Sequence, residues 1–492
     1  MQSVAPLNRK TPVHLLLARL TPVRAAFLGS LLLSLIAILG EGLVGRDGAF
    51  YLDIAHQVTL HGPQVAIKLF DWPWYSILLA QLHQLLHLPL ETCAYLLSTV
   101  LMAATSTLMV DAVRQRWPQA AWWACLVVLA MPAVNQFRFD IIREPGFWCF
   151  CTLALWLALR WEQRGGWWLA AAIHVSIGVA MLFRLESLML MVALSVWQLP
   201  SAFKPSRRRW FLQFFCVPVL AAIVVAIAVL PRIDLHSGRV AYLVTLAEPQ
   251  SVFASFNRLA DQFGNSLVNK YSTDEAGRII FFGMLAALLI KFVTLMGPFS
   301  LPFVLGRHWQ AWRGYWQAFQ PMAWAALCYL LVLMLFFVNA QFMNARYLSF
   351  LDLLVAPLLA IALWQFAQGF PRLAKLVAAL GMLVMLANVL SLGAQKTHFI
   401  TAGRWVAEHI DPQAPVYYED GRISYYAGRG YPQPTQAREA AMAPGSAERY
   451  RYFVVEAPES DPWLQGWIAE HRLRVLATFA QRKSKTVTVV GP

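Results

Sequence analysis

The chain has 492 residues, 59% of them hydrophobic and 13% charged, and a formal net charge of +14. A soluble domain this apolar would precipitate, whereas its apolar stretches are long enough to cross a hydrocarbon core of about 30 Å at about 1.5 Å per helical residue. The basic residues fall between apolar runs and form no single stripe with interleaved polar groups, which argues against nucleic acid and reads as membrane topology.

The first apolar run, 25–40, follows Arg9, Lys10, Arg19 and Arg24 and ends at Glu41 without a small-residue cleavage motif. It predicts a signal anchor with a cytoplasmic N-terminus. A polar outer segment, 41–71, comes next. Residues 72–90 contain His83, Gln84, His87 and Pro89, which makes them a poor span and predicts a helix in the outer interface. Further spans are expected near 93–110, 120–134, 146–159, 168–183, 186–199, 211–230, 279–295, 322–338, 347–367 and 376–392, about eleven in all. The segments this count leaves in the cytoplasm carry Arg114, Arg116, Arg160, Arg164, Lys204, Arg207, Arg208, Arg209, Arg307, Arg313, Arg372 and Lys375, against Asp111 and Glu162. An odd number of spans places the tail outside, in the periplasm if the membrane is a bacterial inner membrane.

The expected organisation is thus mainly α: a transmembrane bundle over 1–395 with outer loops 41–71, 135–145 and 231–278, then an extracytoplasmic α/β module over 396–492. In that module a helical pattern at 402–410, strand-like runs at 416–418 and 452–456, a helix at 463–471 and β-rich runs at 474–479 and 486–490 alternate. The six cysteines lie in or beside spans and none is in the tail, which excludes a disulfide scaffold and argues against a metal cluster. No P-loop, dinucleotide fingerprint, metalloprotease helix, nucleophile elbow or fixed-period repeat is found.

Chemistry therefore falls to the outer loops and to charges near the spans. In loop one, residues 48–60 look helical and amphipathic, with Gly62-Pro63 as the stop. Asp47 then stands just ahead of the helix, either as its N-cap or as a carboxylate at the membrane surface able to take a proton from an acceptor hydroxyl. In loop two, Asp140, Arg143 and Glu144 have the spacing of one helical turn, which suits an interfacial ion cluster or a site held close to the bundle. Arg184 and Glu186 flank a break between spans. Lys291, twelve positions past Ile279, lies about 18 Å into the membrane by helical rise. Such charges pair, snorkel or line a cavity. Arg346-Tyr347 opens a late span as an interfacial anchor or a phosphate ligand.

An acid in the loop after the first span (Asp47-Gly48-Ala49-Phe50-Tyr51-Leu52-Asp53), an interfacial Trp72-Pro73-Trp74-Tyr75, an acid-bearing second loop, the Arg-bearing break, Arg346-Tyr347 and a terminal outer module together resemble the GT-C class of membrane glycosyltransferases. The branch most similar holds the protein O-mannosyltransferases and lipid A aminoarabinose transferases, whose frequent Pro-Pro-Leu-like step is here Trp72-Pro73-Trp74-Tyr75. The resemblance implies inverting sugar transfer from a polyprenyl-phosphate-linked donor to a lipid, glycan or protein acceptor at the outer face. It maps the first-loop acid to Asp47 and the second to Asp140 or Glu144. Arg184, Lys291 and Arg346 become the candidates for the donor phosphate, and Tyr51, Tyr347 and Arg143 for positioning substrate. The resemblance makes no cofactor certain and leaves the need for a divalent cation open. Membrane lipids are the remaining partner. A transporter or flippase of lipid-linked saccharides is the alternative, although it would more typically show internal repeats.

Overall fold

The computed structural model describes residues 20–228, 241, 248–267, 269, 273–304, 309–390, 397–432, 436–482 and 485–492. Arg9, Lys10, Arg19 and Arg307, and much of the expected outer segment 231–278, lie outside the described residues. Among the described residues helices dominate, and a four-stranded sheet appears only near the C-terminus. Seven described helices are long and apolar enough to cross a membrane: Pro22–Gly40, Leu90–Arg116, Leu185–Ala202, Ala276–Val304, Gln320–Ala340, Ala345–Gly369 and Pro371–Val389. Pro118–Ala130 and Trp167–Phe183 are shorter apolar helices. Glu144–Arg164 and Arg208–Ala228 cover two further expected spans. The chain is an integral membrane protein.

It divides into two compact units. The first gathers the described residues within Met1–Leu33, Thr99–Phe137 and Glu144–Asn388. Its centre is helix Ala345–Gly369, apolar all round, with 89% of its most apolar window buried. That is expected of a helix surrounded by other helices, since Ala356, Ala360 and Ala362 let neighbouring backbones approach. Tyr315 anchors a neighbour to it by donating its hydroxyl to the Leu354 carbonyl at 2.9 Å. One carboxyl, Asp352, is fully buried in this helix and has no hydrogen-bond partner among the described residues. Helices Glu144–Arg164 and Trp167–Phe183 pack closely where Gly146 meets the Phe183 ring, which would lie 2.2 Å from any Cβ at that position.

The second unit comprises Ser34–Ser98, Arg138–Arg143 and the described part of Val389–Pro492. Three helices, Arg46–His61, Gln64–Leu69 and Trp74–Leu86, follow one another in loop one and the interfacial segment. The tail forms strands β1 (Val416–Tyr418), β2 (Tyr452–Val455), β3 (Arg474–Arg482) and β4 (Lys485–Gly491), in the order β1-β2-β4-β3. β1 and β2 are parallel, and the other pairs are antiparallel. The alternation of each strand feeds two cores. Tyr418, Val454, Val487 and Val489 pack with Phe399, Ala402 and Val406 of helix Thr397–His409. Tyr417, Phe453, Val455 and Val490 pack with Leu464 and Trp467 of helix Pro462–Glu470. The sheet is thereby covered on both faces, as an α/β module requires.

Candidate functional site

Helix Arg46–His61 begins after Gly45, whose extended backbone makes it the N-cap with no side-chain cap. The helix therefore starts two residues before the expected Gly48. Asp47 is not the N-cap but the second residue of the first turn, half-buried, where a carboxylate still meets the positive helix end. Gly48 follows because nothing larger fits. A Cβ there would meet Val44 Cγ1 at 2.8 Å, Ile141 Cβ at 3.0 Å and the Ile141 carbonyl oxygen at 3.3 Å. A Cβ on Gly45 would lie 3.5 Å from Asp140 Oδ1. Loop two is thus pressed onto the start of this helix, and it carries Asp140 to the turn that bears Asp47.

Residues 140–143 are not helical, so Asp140, Arg143 and Glu144 do not form the single-turn ion cluster their spacing suggests. Arg143 turns to aromatic rings, its guanidinium carbon 5.4 Å from the centroid of Tyr51 and 5.5 Å from that of Phe70. Tyr51 stands four residues after Asp47 and shares its helix face. Ser76 donates to the Tyr51 carbonyl at 2.9 Å, and Tyr75 packs edge-on against the Tyr51 ring at 5.3 Å.

The same helix is tied to the C-terminal module. Tyr426 accepts at its hydroxyl from the Val44 amide at 2.9 Å. Arg46 donates from Nε to Asp420 Oδ2 at 2.9 Å, and its Nη2 lies 3.6 Å from Glu456 Oε1. Asp420 is buried and caps helix Gly421–Tyr426 by accepting from the Arg422 amide, while the Arg422 side chain donates to both of its oxygens at 2.9 and 2.7 Å. Burial opposes ionisation of this carboxyl, but Arg422 and Arg46 outweigh it and hold Asp420 at about 2. Glu456 moves the other way, raised by burial and by the nearby Asp420 and Glu419. Farther along, Asp53 accepts from the Tyr431 amide, is raised by burial, and its Oδ1 lies 3.0 Å from where a Cβ on Gly430 would stand. Phe50 meets the Tyr431 ring at 5.8 Å. Asp420 carries a legible cap signature, an Asp ahead of a short apolar helix. Its partner Arg46, 374 positions away, has no local signature.

In the first unit, Glu144 opens helix Glu144–Arg164 and is almost wholly buried. Arg184 Nη1 donates to Glu144 Oε1 at 2.7 Å and Nη2 to Glu186 Oε1 at 2.8 Å. The expected Arg184–Glu186 pair exists, extended by Glu144. Arg346 Nε lies 3.6 Å from the same Glu144 oxygen. The Tyr347 ring packs under both cations, 4.7 Å from the guanidinium carbon of Arg184 and 5.3 Å from that of Arg346. Tyr329 donates its hydroxyl to the Tyr347 carbonyl at 2.8 Å. Lys291 Nζ donates to the Met343 carbonyl at 2.6 Å, so its ammonium sits beside the chain that leads into Arg346. Of the five sequence candidates here, Arg184 and Arg346 meet at the carboxylate of a third, Glu144, and Tyr347 packs against both cations.

No family model matches the chain, and no curated protein matches it. Solved structures do. ArnT from Cupriavidus metallidurans in the apo state aligns with a TM-score of 0.59 at 15% identity, over 94% of this chain and 97% of that one. The same protein bound to undecaprenyl phosphate aligns with a TM-score of 0.58 over the same shares, again at 15% identity. The Archaeoglobus fulgidus oligosaccharyltransferase in complex with Zn and sulfate aligns with a TM-score of 0.57 at 14% identity, over 88% of this chain and 68% of that one. The chain has the fold of these membrane proteins, the GT-C fold that its loop acids and spans resemble.

Proposed function

We propose that the chain is an inverting GT-C glycosyltransferase that moves a sugar from a polyprenyl-phosphate donor to an acceptor hydroxyl on a lipid, glycan or protein at the outer face of a bacterial inner membrane. The N-terminus is then cytoplasmic and the C-terminal module periplasmic. The observation that carries this reading is the seating of loop two on the first turn of helix Arg46–His61 at Gly48, which sets Asp140 beside the turn of Asp47. Support for the donor comes from the shared fold with ArnT, which has been solved with undecaprenyl phosphate bound.

Asp47 accepts the acceptor's hydroxyl proton as its oxygen attacks the anomeric carbon. The bond from that carbon to the phosphate oxygen breaks on the opposite face, and the phosphate leaves with the electron pair. Phosphate is a good leaving group, so one base and cations that meet the departing charge suffice. Arg184, Lys291 and Arg346 are the cation candidates in the first unit; Arg184 pairs with Glu144 and Glu186, Arg346 lies beside Glu144, and Lys291 donates to the Met343 carbonyl. Among the described residues no three His, Cys, Asp or Glu side chains group as metal ligands. Purified protein given a labelled polyprenyl-phosphate sugar should release polyprenyl phosphate. Passage of the intact donor across a vesicle bilayer without release would contradict the reading and favour a transporter.

A further inference from the structure

In the first unit, helix Gln310–Ala318 lies between two span-length helices, Ala276–Val304 and Gln320–Ala340. Its nine residues reach about 14 Å, too short to cross a hydrocarbon core of about 30 Å. It therefore sits at the membrane face where one span ends and the next begins. At about 100° per residue, its side chains and that of its cap Trp309 sort into three stripes. Ala311, Gly314 and Tyr315 are buried against the bundle. The Tyr315 hydroxyl donates to the Leu354 carbonyl, and a Cβ on Gly314 would lie 3.1 Å from the Trp117 ring. Trp309, Trp312 and Trp316 fall together on the second stripe and are 62%, 43% and 40% exposed. Arg313 occupies the third with the exposed Gln310 and Gln317, and it has no ion pair among the described residues.

Three open indoles on one stripe suit the bilayer interface, where the ring meets acyl chains and its N–H meets headgroups. They are held in place, Trp309 stacked on Trp312 at 6.3 Å and Trp316 against Trp324 at 5.4 Å. A cation on the adjoining stripe completes the pattern of a helix lying in the interface, with rings on its lipid side and charge at headgroup level. Charge complementarity points the same way, because Trp117, which packs on Gly314, directly follows the basic Arg114 and Arg116. The matching face of a second copy would offer Arg313 no carboxylate, since the helix has none.

We infer that helix Gln310–Ala318 is a lipid-binding element lying in the headgroup layer, with Trp309, Trp312 and Trp316 toward the acyl chains and Arg313 on the phosphate of an anionic phospholipid. This rests on the membrane fold and not on sugar transfer.

The test attaches the fluorophore NBD to full-length protein at Trp316→Cys, or at Gln317→Cys, which keeps all three indoles. The protein is held in nanodiscs of equal phosphatidylethanolamine and phosphatidylglycerol, and the unaltered chain, treated alike, gives the background from its own cysteines. A nitroxide carried on the lipids near the headgroup should quench both labels, position 316 more strongly, while aqueous dithionite should reduce position 317 faster. Quenching should be stronger with the nitroxide on phosphatidylglycerol than on phosphatidylethanolamine. Adding Arg313→Gln should lower that local enrichment about fivefold, the effect of one basic residue near an anionic surface. Reduction of both labels as fast as free dye, without lipid quenching, would place the helix in water. Protection from dithionite and nitroxide alike would place it under a second copy. Either result overturns the proposal, and so does quenching indifferent to lipid charge or to Arg313→Gln.

Discussion

Asp420→Asn removes one negative charge from the centre of the contact between the loop-one helix and the C-terminal module while keeping a side chain that caps helix Gly421–Tyr426 nearly as well. The Asp420 side chain is fully buried, and Arg422, 11% exposed, is its main partner. Arg46 is 63% exposed, so solvent screening leaves its share small. The carboxyl is held at about 2 against an ordinary 3.8, and at about 1.4 kcal/mol per pKa unit this amounts to about 2 kcal/mol of stability at neutral pH. Because the folded-state value is depressed, that contribution is complete above the unfolded value near 3.8 and disappears as the pH falls through about 2. Asp420→Ala also loses the cap, adding about 1 kcal/mol. Hydrogen exchange of the 423–427 amides in the full-length protein reads the effect. The Asn variant should exchange faster at pH 7 and converge on the unaltered protein as the pH falls from 4 to 2. Equal protection at pH 7, or a difference that persists at pH 2, would refute the reasoning.

Gly48→Ala should cost about 1–3 kcal/mol by overpacking against Val44 and Ile141 and should lower transfer by pushing loop two off the helix; Ile141→Ala in the same chain should recover part of both, and failure to recover either counts against the loop seating. Arg184→Gln leaves buried Glu144 without its 2.7 Å partner and should cost about 3–5 kcal/mol in stability, partly regained by adding Glu144→Gln; unchanged stability with lost transfer would instead mark Arg184 as a phosphate ligand.

Long apolar runs made the membrane helices legible, and period-two alternation made the strands so: 416–418 is a strand with the expected bounds, and 452–456 differs from β2 by one residue. Local rules failed where tertiary contacts compete with them. Asp47 has the residue type of an N-cap, but the helix extends back to Arg46 because Gly45 takes the extended cap conformation and Arg46 finds a carboxylate in the module. The spacing of Asp140, Arg143 and Glu144 suits one helical turn, yet Glu144 finds Arg184 forty positions away, and Arg143 finds rings from loop one and its flank. Asp352 lies within the expected span 347–367 and shows no periodic anomaly, because that helix is apolar on every side and a single acid hardly changes its pattern.

The central claim is that Asp47 is the general base, and single-turnover transfer by Asp47→Asn tests it most directly. Asn has no charge to favour the first turn of helix Arg46–His61, a loss of about 0.3–1 kcal/mol, and it cannot accept the hydroxyl proton. The variant should therefore insert and fold while transferring at least about 10²-fold more slowly. Full transfer by Asp47→Asn, with transfer lost in Asp140→Asn, would contradict the account and move the base to loop two.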